Sequence, residues 1–323
     1  MRMVFIGASS FGLKCLAAIC QLPEISVVGV LTNPRTFSIS YSDKPVTNVL
    51  HADFVTWAAQ HAMPCREMAH SMRDEALLAW VRALEPQLFV VSGWYHMVPK
   101  VLRDIAPAIG LHASLLPDYS GGAPLVWAMI NGESKTGITL FQMDEGVDSG
   151  PIIGQAEELI LPTDTIGSLY TRIEGRGLEL LKRYLPALAA GTAELRTQDE
   201  SARRVFPQRS PEDGWIDWGQ DAKVIDRFIR AQTRPYPGAF TSLNDGRRLT
   251  IWSAAPLDEN NGHAPSSVTG EGNALRVQCA RGSLLLQEVG CDGKVFGSDQ
   301  VENVLRGTTR LGVVRPQELN NSK

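Results

Sequence analysis

Short apolar runs that end in glycine or serine alternate with stretches of helical spacing along the first two thirds of the chain. Met3-Val4-Phe5-Ile6-Gly7 is such a run, and from Phe11 to Leu22 the apolar positions Leu13, Leu16, Ala17 and Ile19 recur at helical spacing. Ile25 to Leu31 then reads as a second strand. A strand, a tight polar turn, a helix and a strand within about thirty residues form a βαβ unit, whose two strands must run parallel.

The pattern continues through a polar, turn-rich loop over residues 33–48, a helix through Val55 to Ala59, and a helix opening near Ser71-Met72-Arg73-Asp74. Leu88 to Ser92, Ile109 to Ser114 and Gly137 to Met143 are further strands, the last two separated by a helix around Pro124 to Ile130. Thr163 and Asp164 can cap a long helix from Thr165 to about Ala189, where Leu169, Ile173, Leu178, Leu181 and Leu185 keep near-helical spacing. This is the order of an α/β fold, a Rossmann-like, doubly wound and mostly parallel sheet. Beyond a polar, aperiodic stretch from Gly191 to Val205, short runs such as Arg248 to Trp252 and Ser283 to Leu286 predict a second, smaller β-barrel of OB-like type. The expected domains are residues 1–204 and 205–323, and no internal repeat is visible.

Composition narrows the function. With 323 residues, 44% of them hydrophobic, the chain can fill two cores. No apolar run approaches a membrane span, and the N-terminus turns to Gly and Ser too soon for a signal peptide, so a soluble, cytoplasmic protein without membrane partners is expected. The cysteines Cys15, Cys20, Cys65, Cys279 and Cys291 are odd in number and form no Cys-x-x-Cys, which suggests neither a disulfide framework nor a metal site. Residues 205–323 hold 14 basic and 14 acidic side chains, so that half lacks the basic excess of a nucleic-acid surface.

The turn Gly7-Ala8-Ser9-Ser10-Phe11-Gly12 lacks the G-x-G-x-x-G spacing of a dinucleotide site, and it reads either as a plain helix N-terminus or as amides that meet a substrate phosphate or hydroxyl. The most informative stretch is Gly110-Leu111-His112-Ala113-Ser114-Leu115-Leu116-Pro117-Asp118-Tyr119-Ser120-Gly121-Gly122-Ala123-Pro124, followed by Met143-Asp144-Glu145-Gly146-Val147-Asp148-Ser149-Gly150. It resembles the 10-formyltetrahydrofolate-dependent formyltransferase family. That family's usual signature is Asn-x-His, then Ser-Leu-Leu-Pro, then an Asp some thirty-six residues beyond the His, and here His112 and Asp148 stand at its His and Asp. Chemistry supports the pair independently. An imidazole exchanges protons near neutral pH, a carboxylate orients it, and acyl transfer to an amine needs both proton removal and a donor for the developing oxyanion.

The resemblance implies a folate pocket lined by Ser92, Gly93, Trp94, Met97 and Val98 and by the loop of Met143, Asp144, Glu145, Gly146 and Val147. It implies acceptor contacts from Ser9, Ser10, Ser114, Tyr119 and Gly122. Arg209 to Trp218, Ile229-Arg230-Ala231 and Pro235 to Phe240 resemble the C-terminal domain of methionyl-tRNA formyltransferase and of the formyltransferase module of lipid A aminoarabinose biosynthesis. One position departs: Gly110 replaces the Asn whose amide holds the formyl oxygen. Losing an oxyanion donor costs about 10²–10³ in rate, so Ser92, Ser114 or backbone amides near Asp148 are expected substitutes, and the glycine is expected to leave room for a water or another polar group.

The expected function is therefore transfer of formyl from 10-formyltetrahydrofolate to the primary amine of a nucleotide-linked amino sugar. Methionyl-tRNA formyltransferase shares the same centre, but its members carry a strongly basic loop where residues 33–48 offer only Arg35 and Lys44. A small-molecule acceptor is thus expected, nucleic acid is not, and a homodimer is compatible. A folate- or sugar-nucleotide-binding protein without transfer activity is the alternative that Gly110 raises. Hydrolysis of the same donor is a further alternative, with transfer expected because the sequence shows no extra N-terminal regulatory domain of the deformylase kind.

Overall fold

The computed structural model describes residues 1–39, 45–259, 262–270 and 274–312. In chain order the first elements are β1 (Arg2–Gly7), α1 (Ser10–Ile19), β2 (Ser26–Thr32), β3 (Thr36–Phe37), β4 (Val46–Thr47), α2 (Phe54–Gln60), β5 (Cys65–Glu67), α3 (Glu75–Ala83), β6 (Leu88–Ser92) and α4 (Lys100–Arg103). There follow β7 (Ala108–His112), β8 (Ser120–Gly121), α5 (Pro124–Asn131), β9 (Lys135–Gln142), β10 (Ile152–Leu159), α6 (Ile166–Ala189) and β11 (Val205–Phe206). The remainder is α7 (Ala222–Gln232), β12 (Ala239–Ser242), β13 (Arg248–Leu257), β14 (Val268–Thr269), β15 (Arg276–Gln278), β16 (Ser283–Cys291), β17 (Lys294–Gly297) and α8 (Val301–Leu305).

One sheet runs β10-β9-β7-β6-β1-β2-β5, with β5, β2, β1, β6 and β7 parallel and β9 and β10 antiparallel to their neighbours. The expected α/β sheet is therefore present. Met3, Val4, Phe5 and Ile6 are all wholly buried, as a strand covered on both faces requires. Val4 and Ile6 face a cluster with Leu77, Leu78, Val81, Phe89 and Leu102, while Phe5 stacks on Phe54. The strand order turns outward from β1 in both directions, so β1 and β6 flank the switch point where open sheets place ligands.

Three details differ from the sequence expectation. The loop over 33–48 contains the small β3–β4 hairpin; Arg35 is exposed on it and Lys44 lies outside the described residues. The helix expected to open near Ser71 is capped instead by Asp74, whose carboxylate accepts from the Leu77 amide at 3.0 Å. Ile152–Leu159 is a strand that hydrophobic pattern did not announce, because its exposed half carries Gln155, Glu157 and Glu158.

By contacts the chain forms two compact units. The first comprises residues 1–124, 135–159 and 170–207, the second residues 125–134, 160–169 and 208–323. In the second, an antiparallel sheet runs β12-β13-β16-β15-β14 with β17 paired to β16. Ile225 and Ile229 of α7 pack with Trp218, Ile251, Val277 and Leu284 into its core. Among the described residues no helix is long and apolar enough to cross a membrane, and the five cysteines are unpaired.

Two helical glycines make the close packing testable. A Cβ on Gly12 would lie 2.6 Å from the backbone oxygen of Ser92, whereas one on Gly175 meets nothing within 4 Å. Gly175→Ala is expected to stabilise by about 0.5–1 kcal/mol through helix propensity. Gly12→Ala is expected to destabilise by about 1–3 kcal/mol, because the clash outweighs the same gain. Urea unfolding of both variants against the parent measures the two signs.

Candidate active site

His112 ends β7 at the C-terminal crest of the sheet, and Asp148 stands in the turn between β9 and β10. Their side chains meet with His112 Nδ1 3.5 Å from Asp148 Oδ2, at 10% and 20% exposure. The two residues singled out as a pair are thus brought together. The other ring nitrogen, Nε2, lies 2.8 Å from the Tyr119 carbonyl oxygen. A carbonyl only accepts, so Nε2 carries a hydrogen and donates it. In neutral imidazole the lone pair then sits on Nδ1, the atom that faces the carboxylate.

The backbone around the pair is special. Tyr119, Ala123 and Asp148 have φ of 54°, 46° and 53°, three of the seven non-glycine residues in the left-handed region among the described residues. Such conformations persist where surrounding contacts over-determine them. Here the amide of Gly121 donates to Asp148 Oδ2 at 2.8 Å, Asp118 Oδ1 accepts from the Tyr119 amide at 2.9 Å, and Ser114 Oγ donates to the Asp118 carbonyl at 2.7 Å. Thr139 Oγ1 donates to the Ser114 carbonyl at 2.7 Å, tying the loop to β9.

The residues singled out as folate contacts form two loops that meet through Met143, which packs in one cluster with Val91, Trp94 and Val98. Ser92 is buried, and its hydroxyl donates to Cys15 Sγ at 3.6 Å. Gly93 has φ 63°, and a Cβ there would overlap Ser9 Oγ. Trp94 donates to Met72 sulfur at 3.4 Å. Asp144 Oδ1 accepts from the Gly146 amide at 2.9 Å and from Ser149 Oγ at 2.7 Å, shaping the turn through Glu145. Met97 and Val147 stand on these loops 58% and 45% exposed. Exposed apolar side chains beside a tight turn of backbone polar groups suit a flat heterocycle with donor and acceptor edges.

The residues singled out for the acceptor are used differently. Ser9 is buried and its hydroxyl caps α1 by accepting from Gly12 at 3.1 Å, while the Ser10 amide donates to the Leu50 carbonyl at 2.7 Å and its side chain is exposed. Ser114 is wholly buried, the Tyr119 ring stacks on Phe206 at 4.4 Å, and the Gly122 amide donates to the Phe206 carbonyl at 2.9 Å. Ser114 and Gly122 thus brace the loop whose Tyr119 carbonyl meets His112 Nε2.

Two expectations about Gly110 are corrected. The space beside the glycine is shared with the mobile end of Met143, since a Cβ there would lie 2.4 Å from Met143 Cε and that side chain would have to shift. Ser92 and Ser114 do not replace the missing donor, because both hydroxyls are buried and already donate elsewhere. Sequence reasoning also missed Gln198, Arg204 and Phe206, which touch the site from an aperiodic stretch with no local signal.

Residues 1–185 match the profile of a family described as formyl transferase, and residues 209–298 match that of the formyl transferase C-terminal domain. Among solved structures, HypX from Aquifex aeolicus in complex with tetrahydrofolic acid is 17% identical with a TM-score of 0.63, covering 96% of this chain and 48% of its own. This chain thus spans about half the length of HypX. An N-formyltransferase from Helicobacter canadensis in complex with folinic acid and dTDP-3-aminofucose is 17% identical with a TM-score of 0.64, covering 88% of this chain and 98% of its own. Methionyl-tRNA formyltransferase from Clostridium thermocellum is 18% identical with a TM-score of 0.53, covering 92% and 99%.

Burial pushes the His96 imidazole below the usual histidine value of 6.5, and its Nε2 has no hydrogen-bond partner among the described residues. A depressed folded value means that the unfolded chain binds the proton more readily. The stability tied to neutral His96 is therefore present above pH 6.5 and is lost as pH falls below it. His96→Phe is expected to lose less stability than the parent between neutral pH and about pH 5, as measured by urea midpoints across that range.

Proposed function

The chain belongs to the formyltransferase family, and from that membership we propose that it moves a formyl group from 10-formyltetrahydrofolate to the primary amine of a nucleotide-linked amino sugar. The observation that carries the reading is the meeting of His112 and Asp148 at the sheet crest. The folate donor supplies an activated formyl group. The loops of residues 92–98 and 143–147 are the part of this chain that would hold it, with Met97 and Val147 against its apolar face. Fold similarity at this level of identity leaves the acceptor to chemistry.

His112 is held for proton transfer at Nδ1. An attacking amine must shed a proton as its nitrogen bonds to carbon, and Nδ1 can take that proton while Asp148 stabilises the imidazolium. The same Nδ1–H can then donate to oxygen that gains negative charge, or to the departing nitrogen. The Nε2 hydrogen bond to Tyr119 keeps the ring from flipping between these tasks. Without bulk water, a charge-assisted bond of this kind is roughly twice as strong as a neutral one.

Charge supports a small acceptor. The chain has a net charge of −4, and Arg35 and Lys44 are the only bases of the 33–48 loop. A diphosphate needs few donors, whereas tRNA is held by many phosphate contacts. The smaller C-terminal sheet, which we read as the OB-like module, is as acidic as it is basic and offers no contrary signal.

The test is incubation with 10-formyltetrahydrofolate and candidate amines. His112→Ala and Asp148→Ala are each expected to lower turnover by at least about 10² at saturating donor while the fold persists. Turnover within threefold of the parent removes that residue from the mechanism. Tight binding of initiator tRNA that collapses between about 50 and 200 mM salt overturns the amino-sugar assignment.

Gly110 gives a separate prediction. Met143 Cε occupies the place of an added side chain, so Gly110→Asn is expected to obstruct transfer. Pairing it with Met143→Ala, which vacates that place, is expected to recover activity. The comparison is of kcat/KM for the single and double variants; restoration by Gly110→Asn alone of about 10² or more contradicts the reading.

A further inference from the structure

After α6 the chain passes beside the site from Arg196 to Phe206, and its contacts reach β10 and the two loops that carry Asp148 and the Tyr119 carbonyl. Arg196 exchanges backbone hydrogen bonds with Ile152 at 2.7 and 2.8 Å. Its guanidinium donates to Gln155 Oε1 at 2.8 Å, and Gln155 Nε2 donates to the Leu116 carbonyl at 2.8 Å. Gln198, 6% exposed, donates from Nε2 to the carbonyls of Asp148 and Gly150, both at 2.7 Å. Arg203 donates to the Val147 carbonyl. Arg204 grips Asp118 with two parallel bonds of 2.6 Å and lies 4.8 Å over the Tyr119 ring. Val205 and Phe206 pair in parallel with Ser120 and Gly121.

These contacts converge on two places. Gln198 holds the peptide of Asp148, a non-glycine residue at φ 53°. Arg204 holds Asp118 and Tyr119, whose carbonyl holds His112 Nε2. We propose that this connector is a clamp that sets the spacing of the pair, with Gln198 and Arg204 as positioning residues. Gln198 acts through Asp148, and Arg204 acts through Tyr119 on His112. Neither touches a reacting atom. One segment touches both loops, Gln198 at the Asp148 carbonyl and Arg204 at the Asp118 carboxylate and Tyr119 ring, so a common support stands behind the 3.5 Å separation of the pair. A displacement of about 1 Å between reacting groups can cost 10²-fold in rate.

The proposal rests on the catalytic reading of His112 and Asp148, so it needs a readout that survives if that reading fails. Histidine-labelled protein supplies one, because His112 is one of six histidines whose ring resonances can be followed separately. Gln198→Leu, which keeps the bulk and removes the donor, and Arg204→Gln, which removes the fork, are each expected to move the His112 resonances and leave the other five in place. Asp148→Ala supplies the reference direction for Gln198→Leu. Unmoved His112 resonances in folded Gln198→Leu and Arg204→Gln overturn the clamp, whether or not the parent transfers formyl.

Kinetics give the second readout. Both variants are expected to lower kcat by about 10- to 100-fold with KM within about twofold, and Arg204→Lys is expected to fall short of the parent because it loses the parallel bonds. In the Asp148→Ala background, Gln198→Leu is expected to add less than about twofold, since its effect passes through Asp148. Independent, multiplying losses there overturn the assignment of Gln198. Should Gln198→Leu fail to fold, Arg204→Lys and Arg204→Gln decide the proposal by the same resonances.

Discussion

The bond from His112 Nε2 to the Tyr119 carbonyl is the constraint from which the chemistry of the site follows. A histidine with both nitrogens free could present either one to a substrate and could titrate at either. Once Nε2–H is given to a carbonyl, the tautomer is set and the lone pair of the neutral ring lies on Nδ1. Asp148 faces that nitrogen, with its Oδ2 held by the Gly121 amide. The requirement passes outward. Tyr119 must keep a left-handed backbone so that its carbonyl points at the ring, and Asp118, Phe206 and Arg204 hold it in that conformation.

The sheet explains why such a constraint can be met at all. Parallel strands buried on both faces are the least deformable part of the fold, and β7 delivers His112 from one of them. Asp148 comes from the other direction, on the turn joining the antiparallel strands β9 and β10. A residue from a parallel strand end and one from an antiparallel turn meet because β9 lies beside β7, with Thr139 opposite His112. The hydroxyl of that Thr139 in turn donates to Ser114 and accepts from Leu116 and Gln155. One buried side chain thereby links the sheet register to the loop that carries Tyr119.

Much of this was readable from the chain and some of it was not, for physical reasons. Buried parallel strands announce themselves as apolar runs, and His112 and Asp148 carry chemistry that few contexts explain away. Ile152–Leu159 escaped because one face of an edge strand meets solvent and reads as polar. Ser9, Ser114 and Tyr119 looked like ligand contacts, yet their polar groups answer first to the backbone, as a helix cap, a loop brace and a ring anchor. Gln198 was invisible, since hydrogen bonds to carbonyls some fifty residues earlier leave no periodic trace.

Gly110 draws these threads together. Where the family places an amide donor, this chain places the thioether end of Met143, and the neighbouring hydroxyls of Ser92 and Ser114 are engaged elsewhere. A thioether beside Gly110 does not stabilise charge directly. Of His112's two ring nitrogens, Nε2 is committed to Tyr119, so the donor left to the imidazole is a proton on Nδ1, stabilised by Asp148. On the proposed reading, the pair serves both as proton acceptor for the amine and, with any backbone amide near Asp148, as donor to the oxygen. Two tasks on one atom tolerate less misalignment than a division of labour, and the connector that holds both loops is the structural counterpart of that demand.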